Sequence, residues 1–107
     1  MTTFYKNAAV DLTTTNLTVV YTAPAAKTAI FKSILVSNDS GSATTITLSL
    51  TNAATAVFSL YKLEEVGALS TRELLDQPLV LETAEILKAQ AATAGRLHVV
   101  ASYMEIT

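Results

Sequence analysis

The side chains that could do chemistry are few. His98 is the single imidazole, and there is no Cys. A histidine working as a general base needs a nucleophile to serve and a carboxylate to orient it. The residues around it, Arg96 to Val100, supply neither, so His98 reads as a structural or interface residue. The lack of Cys removes thiolate catalysis, disulfides and Cys-ligated zinc or iron–sulfur sites. Nine carboxylates remain: Asp11, Asp39, Glu64, Glu65, Glu73, Asp76, Glu82, Glu85 and Glu105. A glycosidase needs two of them across one cleft, usually beside aromatic platforms. This chain has no Trp, and its tyrosines are spread along it. Glu64-Glu65 needs distant help to chelate a cation. Asn38-Asp39-Ser40-Gly41 has oxygen ligands without the spacing of a calcium loop and reads as a turn. Gly41, Gly67 and Gly95 stand too far apart to build a phosphate cradle. Asn16-Leu17-Thr18 and Asn38-Asp39-Ser40 match a glycosylation pattern that so much Thr and Ser produces by chance. The residues point to no enzyme, no cofactor and no metal.

Charge excludes further classes. The formal net charge is −2, and the basic residues Lys6, Lys27, Lys32, Lys62, Arg72, Lys88 and Arg96 are scattered, with no two adjacent. A groove that tracks phosphates needs cations in register, so nucleic acid is not expected as a partner. No apolar run reaches the length of a membrane-spanning helix. The opening Met1-Thr2-Thr3-Phe4-Tyr5-Lys6-Asn7 has no signal-like apolar core, which predicts synthesis in the cytoplasm and no membrane partner.

The elements that must position these residues are strands. Thr is the dominant polar residue, and its branched side chain suits a half-exposed pleated surface. Candidate strands are Thr3 to Lys6, Ala8 to Thr13, Leu17 to Thr22 (closed by Pro24), Ala29 to Asn38, Thr44 to Thr51 and Ala56 to Leu63. Asn38 to Ser42 is a strong turn signal, suited to an antiparallel hairpin between its flanking strands. In Thr44–Thr51, Ile46, Leu48 and Leu50 alternate with Thr45, Thr47 and Ser49. Two segments are open to both readings. Leu63 to Leu75 has helix-favouring residues interrupted by Gly67, which argues for a loop and then a strand from Thr71. Thr83 to Gly95 could be a capped helix or a strand in which Leu87, Ala89 and Ala91 share a face. Leu79 to Leu81 and Leu97 to Ile106 complete the set. About eight strands in one domain spanning residues 1–107 make an antiparallel β-sandwich, jelly-roll or immunoglobulin-like.

Several segments resemble small structural proteins of tailed bacteriophages, especially those of cyanobacteria. They are Tyr5-Lys6-Asn7, Val10-Asp11-Leu12-Thr13, Tyr21-Thr22-Ala23-Pro24, Ala29-Ile30, Lys32-Ser33-Ile34, Val36 and Asn38-Asp39-Ser40-Gly41. Further along are Leu79-Val80-Leu81-Glu82, Leu87-Lys88-Ala89-Gln90-Ala91 and Leu97-His98-Val99-Val100-Ala101-Ser102. The resemblance spans nearly the whole chain, departs most over Glu64–Leu75, and carries no catalytic motif. It favours the strand over the helix for Thr83–Gly95. It implies a virion protein of the capsid surface: a decoration or cement protein that binds the major capsid protein and associates with itself, by analogy as a homotrimer. Lattice-specific binding stabilises a shell by mass action, and an oligomeric clamp adds avidity. Tail, neck or fibre components are the alternative placement, and a carbohydrate-binding sandwich is the competing class.

The candidate interface residues come from alternation in Leu97–Ile106. Leu97, Val99, Ala101 and Tyr103 form one face, and Val100, Met104 and Ile106 the other, beside His98 and Ser102. A half-exposed antiparallel strand keeps one face polar. Apolar residues on both faces require a second covering layer, either from the same chain or from a neighbour. Val100, Met104 and Ile106, with the N-terminal Phe4 and Tyr5, are therefore the expected subunit or shell contacts, and Met104 has burial in the core as its alternative.

Overall fold

A computed structural model describes residues 2–107. Its nine strands are β1 (Thr3–Leu12), β2 (Thr18–Thr22), β3 (Thr28–Asn38), β4 (Thr44–Thr51), β5 (Val57–Val66), β6 (Ser70–Glu73), β7 (Leu79–Leu81), β8 (Ile86–Ala91) and β9 (Leu97–Ile106). No helix occurs among the described residues. The two open segments are both strands. Around Gly67 the chain turns from β5 into β6. Beyond Pro78, the turn before β8 is held by a hydrogen bond from the Glu85 amide to the Glu82 carbonyl (3.0 Å) and one from the Glu82 amide to the Glu85 carboxylate (2.8 Å). That turn satisfies locally the groups a helix N-terminus would have left open.

The strands form two antiparallel sheets. One has the order β1-β9-β3-β6, with β7 pairing β3 beyond β6, and the other has the order β2-β8-β4-β5. The pairings are nested: β1 with β9, β2 with β8, β3 with β6 and β7, β4 with β5. A single long antiparallel ribbon has thus rolled up until β9 meets β3 and β8 meets β4. This is the jelly-roll arrangement, and it removes the immunoglobulin-like alternative.

The hairpin expected across Asn38–Ser42 does not form, because β3 and β4 lie in different sheets. Both strands bury an apolar row on the same core from opposite sides, so the connection must cross the sandwich. Asn38 makes the crossing. Its buried amide nitrogen donates to the carbonyls of Ser42 (2.9 Å) and Val66 (3.1 Å), while its oxygen accepts from the Ser40 amide (3.0 Å). The turn identity of this segment holds, and its role is to bridge the layers.

Between the sheets, Leu12, Phe31, Ile34, Ile46, Leu48, Leu87, Leu97 and Val99 are fully buried. Tyr21, Phe31 and Tyr103 pack ring against ring at 4.6–5.3 Å between centroids, an arrangement aromatic pairs favour.

Candidate functional site

With the core filled from within, the outer face of the β1-β9-β3 sheet becomes the informative surface. Leu97, Val99, Ala101, Tyr103 and Glu105 of β9 point inward, and His98, Val100, Ser102, Met104 and Ile106 outward. The sheet register lines these up in rows. Tyr5 lies opposite Met104, Met104 opposite Ile30, and Ile30 opposite Val80, giving an apolar row across four strands. Two residues along, Asn7, Ser102 and Ser33 form a polar row. Two further on, Ala9, Val100 and Leu35 form a second apolar row. Tyr5 is 83 % exposed, Val80 49 %, and Val100 and Leu35 39 % each. Flanking these, Thr3, Ile106 and Thr28 form a mixed row and Asp11, His98, Ser37 and Thr71 a polar one, so two of the five rows of the face are apolar. No described element covers those two rows, which depart from the polar exterior a solvated sheet keeps.

The structure brings four of the five nominated residues together here: Tyr5, Val100, Met104 and Ile106. Met104 lies on the outer face rather than in the core. Phe4 does not belong to the face. It sits opposite Glu105 on the inward side of β1, beneath the ammonium groups of Lys6 (5.6 Å) and Lys27 (5.9 Å). Strict alternation along β1 forces this, since Phe4 and Tyr5 are neighbours. Ile30, Leu35 and Val80 are the members that sequence reasoning missed. Ile30 and Leu35 are five positions apart, an odd spacing that alternation assigns to opposite faces. A bulge between Phe31 and Ser33 inserts Lys32 and restores both to the same side. Glu73 secures this bulge by accepting from the Ser33 hydroxyl and the Ile34 amide (2.7 Å). Burial works to raise the Glu73 pKa, but those donors, with the amides of Leu74 and Leu75, hold it below the ordinary carboxylate value.

Two clusters of titratable groups lie at opposite ends of β9, apart from the Arg72–Glu64 pair (2.9 Å). At one end the Glu105 carboxylate, 2 % exposed, accepts from the Tyr21 hydroxyl (2.6 Å) and the Lys6 ammonium (2.9 Å), with Lys27 at 3.5 Å. The Tyr21 and Lys6 hydrogen bonds hold its pKa below the usual range. Burial, and then the bond to Glu105, push the Tyr21 hydroxyl well up. At the other end, distant segments give His98 the carboxylates its neighbours lack: Asp39 at 3.2 Å and Asp11 at 3.6 Å. All three are substantially exposed. The hydroxyls nearest in register are those of Ser37 and Thr71, and Thr71 donates to Ser37 (3.3 Å) rather than to His98.

Among the described residues, no three His, Cys, Asp or Glu side chains stand where they could hold a metal ion. A cleft of about 380 Å³ opens between β5 and the β6–β7 connection and is lined by Leu60, Tyr61, Leu75, Asp76, Gln77, Pro78 and Leu79. Asp76 is its lone carboxylate, so the cleft offers no acid–base pair.

No protein-family model matches this chain, and neither does any curated protein. Among solved structures it is similar to a protein of Bacillus endospore appendages, described as forming a novel family of disulfide-linked pili. The TM-score is 0.58 at 10 % sequence identity, over 99 % of this chain and 88 % of that one. The likeness is one of fold.

Proposed function

We propose that this chain is a structural component of a virus particle, a decoration or cement protein that docks on the outside of a tailed-phage head and associates with copies of itself. The observation that carries the reading is the four-strand-wide apolar face built on Tyr5, Met104, Ile30 and Val80, with Val100 and Leu35 beside it. A filled core leaves that face no partner among the described residues. The resemblance of the segments from Tyr5 to Ser102 to small phage structural proteins supplies the identity of what covers it: the major capsid protein and neighbouring subunits. The reading assigns no reaction, cofactor or metal to the chain, and its location is the capsid surface.

The pilus proteins that share the fold are also assembling subunits, which keeps a tail or fibre placement as the second reading. The disulfide linkage in their description has no counterpart in a chain without Cys.

The test has two arms. Quantitative mass spectrometry of purified particles should find copies in the hundreds, on the scale of capsid subunits, whereas a handful would move the protein to the tail and none would sink the reading. Met104→Glu places a charge in the middle of the apolar row. Full burial of such a side chain is worth about 1.5–3 kcal/mol, so binding to emptied heads should weaken by roughly ten- to a hundredfold. Unchanged binding by a folded Met104→Glu protein would remove the face from the contact.

A further inference from the structure

The four lateral edges of the two sheets are not protected alike. Sheet edges invite pairing with another chain, and folded proteins blunt them with short strands, bulges, proline or charge. β2 has five residues and a bulge between Val19 and Tyr21, and runs into Ala23-Pro24. β5 carries two register shifts against β4, and its Leu63 sits in the left-handed region at φ 55°. β6 and β7 have four and three residues and are separated by a segment containing Pro78. β1 is neither short, bulged nor interrupted by proline. It runs ten residues in unbroken register with β9, from Thr3 opposite Ile106 to Leu12 opposite Leu97, without Gly or Pro. Its two charges are each engaged within the chain, Lys6 by Glu105 (2.9 Å) and Asp11, near the strand's end, by His98 (3.6 Å), so no unpaired charge stands along the edge.

The direction of the free backbone groups follows from the ladder. The Thr107 amide donates to the Thr2 carbonyl (3.0 Å), which makes the even-numbered residues of β1 the ones bonded to β9. Thr3, Tyr5, Asn7 and Ala9 therefore direct both N–H and C=O to the open edge. The same odd-numbered residues carry the outer-face rows, whose pattern is symmetric: apolar at Tyr5, polar at Asn7, apolar at Ala9.

We propose that β1 pairs antiparallel with β1 of a second copy about a two-fold axis at Asn7. This register sets Asn7 against Asn7, Tyr5 against Ala9 and Phe4 against Val10. Side chains that meet across strands on the outer face then match in polarity, and on the inner face each Lys6 meets Ala8 rather than a like charge. The apolar row from Val80 to Tyr5 continues into the partner's row from Ala9 to Leu35, and the Asn7-Ser102-Ser33 row continues into its own copy. A shift of the axis to Lys6 would oppose like charges, and a shift to Ala8 would set Tyr5 against Asp11. The contact is isologous, uses an edge rather than the sheet face, and stands whether or not the protein enters a virion.

Disulfide trapping in the full-length chain tests this directly, because the protein has no cysteine of its own. Paired Cα atoms in a hydrogen-bonded antiparallel position lie about 5.5 Å apart, within disulfide reach. Asn7→Cys should cross-link to a dimer at least about tenfold faster than Ala9→Cys or Ser102→Cys, since only position 7 meets itself, at a high effective concentration. Ser102→Cys would place its thiols about 14 Å apart, three strand spacings away. Light scattering on the unsubstituted chain should give a dimer that dissociates on dilution. Equal rates in the three variants, faster linking through Ala9→Cys, or a mass that stays monomeric at every concentration would each overturn the proposal. None of those results would bear on whether the sheet face binds a head shell.

Discussion

The two ends of β9 have the same formal design and unequal consequences. At each end a titratable side chain lies between two groups of opposite kind: Glu105 between Lys6 and Lys27, His98 between Asp11 and Asp39. The Glu105 side chain is 3 % exposed and also receives the Tyr21 hydroxyl, while the His98 side chain is 41 % exposed and its partners more so. In water the attraction of such pairs is largely cancelled by solvation and by the entropy of holding long side chains still. Away from water, a carboxylate that loses its donors has nothing to replace them. Burial, more than the number of partners, decides what each cluster contributes, and one strand supplies both cases because its residues alternate between core and solvent.

Substitutions that unequally disturb the two ends test this contrast. Glu105→Ala should cost most, about 2–3 kcal/mol, because it strands the Tyr21 hydroxyl among aromatic rings and leaves a void at the end of the core. Urea denaturation measures it. The same substitution should blunt the acid limb of the stability profile. Glu105 has its folded pKa below the ordinary value of 4.5. Its contribution is complete above the unfolded pKa and is lost as pH falls through the lowered folded value. Glu73 is shifted the same way, so part of the acid limb should survive in Glu105→Ala.

Tyr21→Phe should cost less, about 1–1.5 kcal/mol, by removing one donor while keeping the ring packing. Its clearest signature is at the other limb. The Tyr21 pKa is raised from 10.0, so the native chain should lose stability as pH climbs past that value. The variant should lose less there, and a chemical-denaturation series at alkaline pH reads the difference. His98→Ala should change stability least, by under about 0.5 kcal/mol. A loss from His98→Ala matching that from Glu105→Ala, in the same denaturation assay, would break the contrast.

Much of the fold was legible where alternation was uninterrupted. Thr44–Thr51 and Leu97–Ile106 are strands over the residues expected, and the opposing faces of Leu97–Ile106 are as read. Two kinds of feature were not legible. A bulge resets alternation, and Lys32 has no chemistry that announces it, so Ile30 and Leu35 could not be joined to Val100 and Met104. Long-range polar pairing is equally silent. Glu105, Tyr21 and Lys6 come from β9, β2 and β1, and nothing in their local sequence marks them as neighbours. Asp11 and Asp39 reach His98 by the same route. The missed layer crossing at Asn38–Ser42 has a related cause: a strong turn signal fixes a change of direction but not whether the next strand joins the same sheet. The helix propensity of Leu, Glu and Ala in Thr83–Gly95 was overridden by pairing with β2 and β4 on both sides of β8.

The nesting of the ribbon has a kinetic meaning. Only β4 and β5, joined through the Asn52–Ala56 turn, can find each other locally; the Asn52 side chain already organises that turn by accepting from the Ala54 and Ala56 amides (3.0 Å each). Each outer pairing closes a longer loop than the one inside it, and β1 with β9 closes nearly the whole molecule. Loop-closure entropy rises with separation and slows such pairings, so the ribbon should zip from its middle outward and β1 should be the last strand to lock. Pulsed hydrogen exchange during refolding would show that order as late protection of β1 amides. Until that final step the strand with the least guarded edge is also the one free in solution, and a second chain can compete for it.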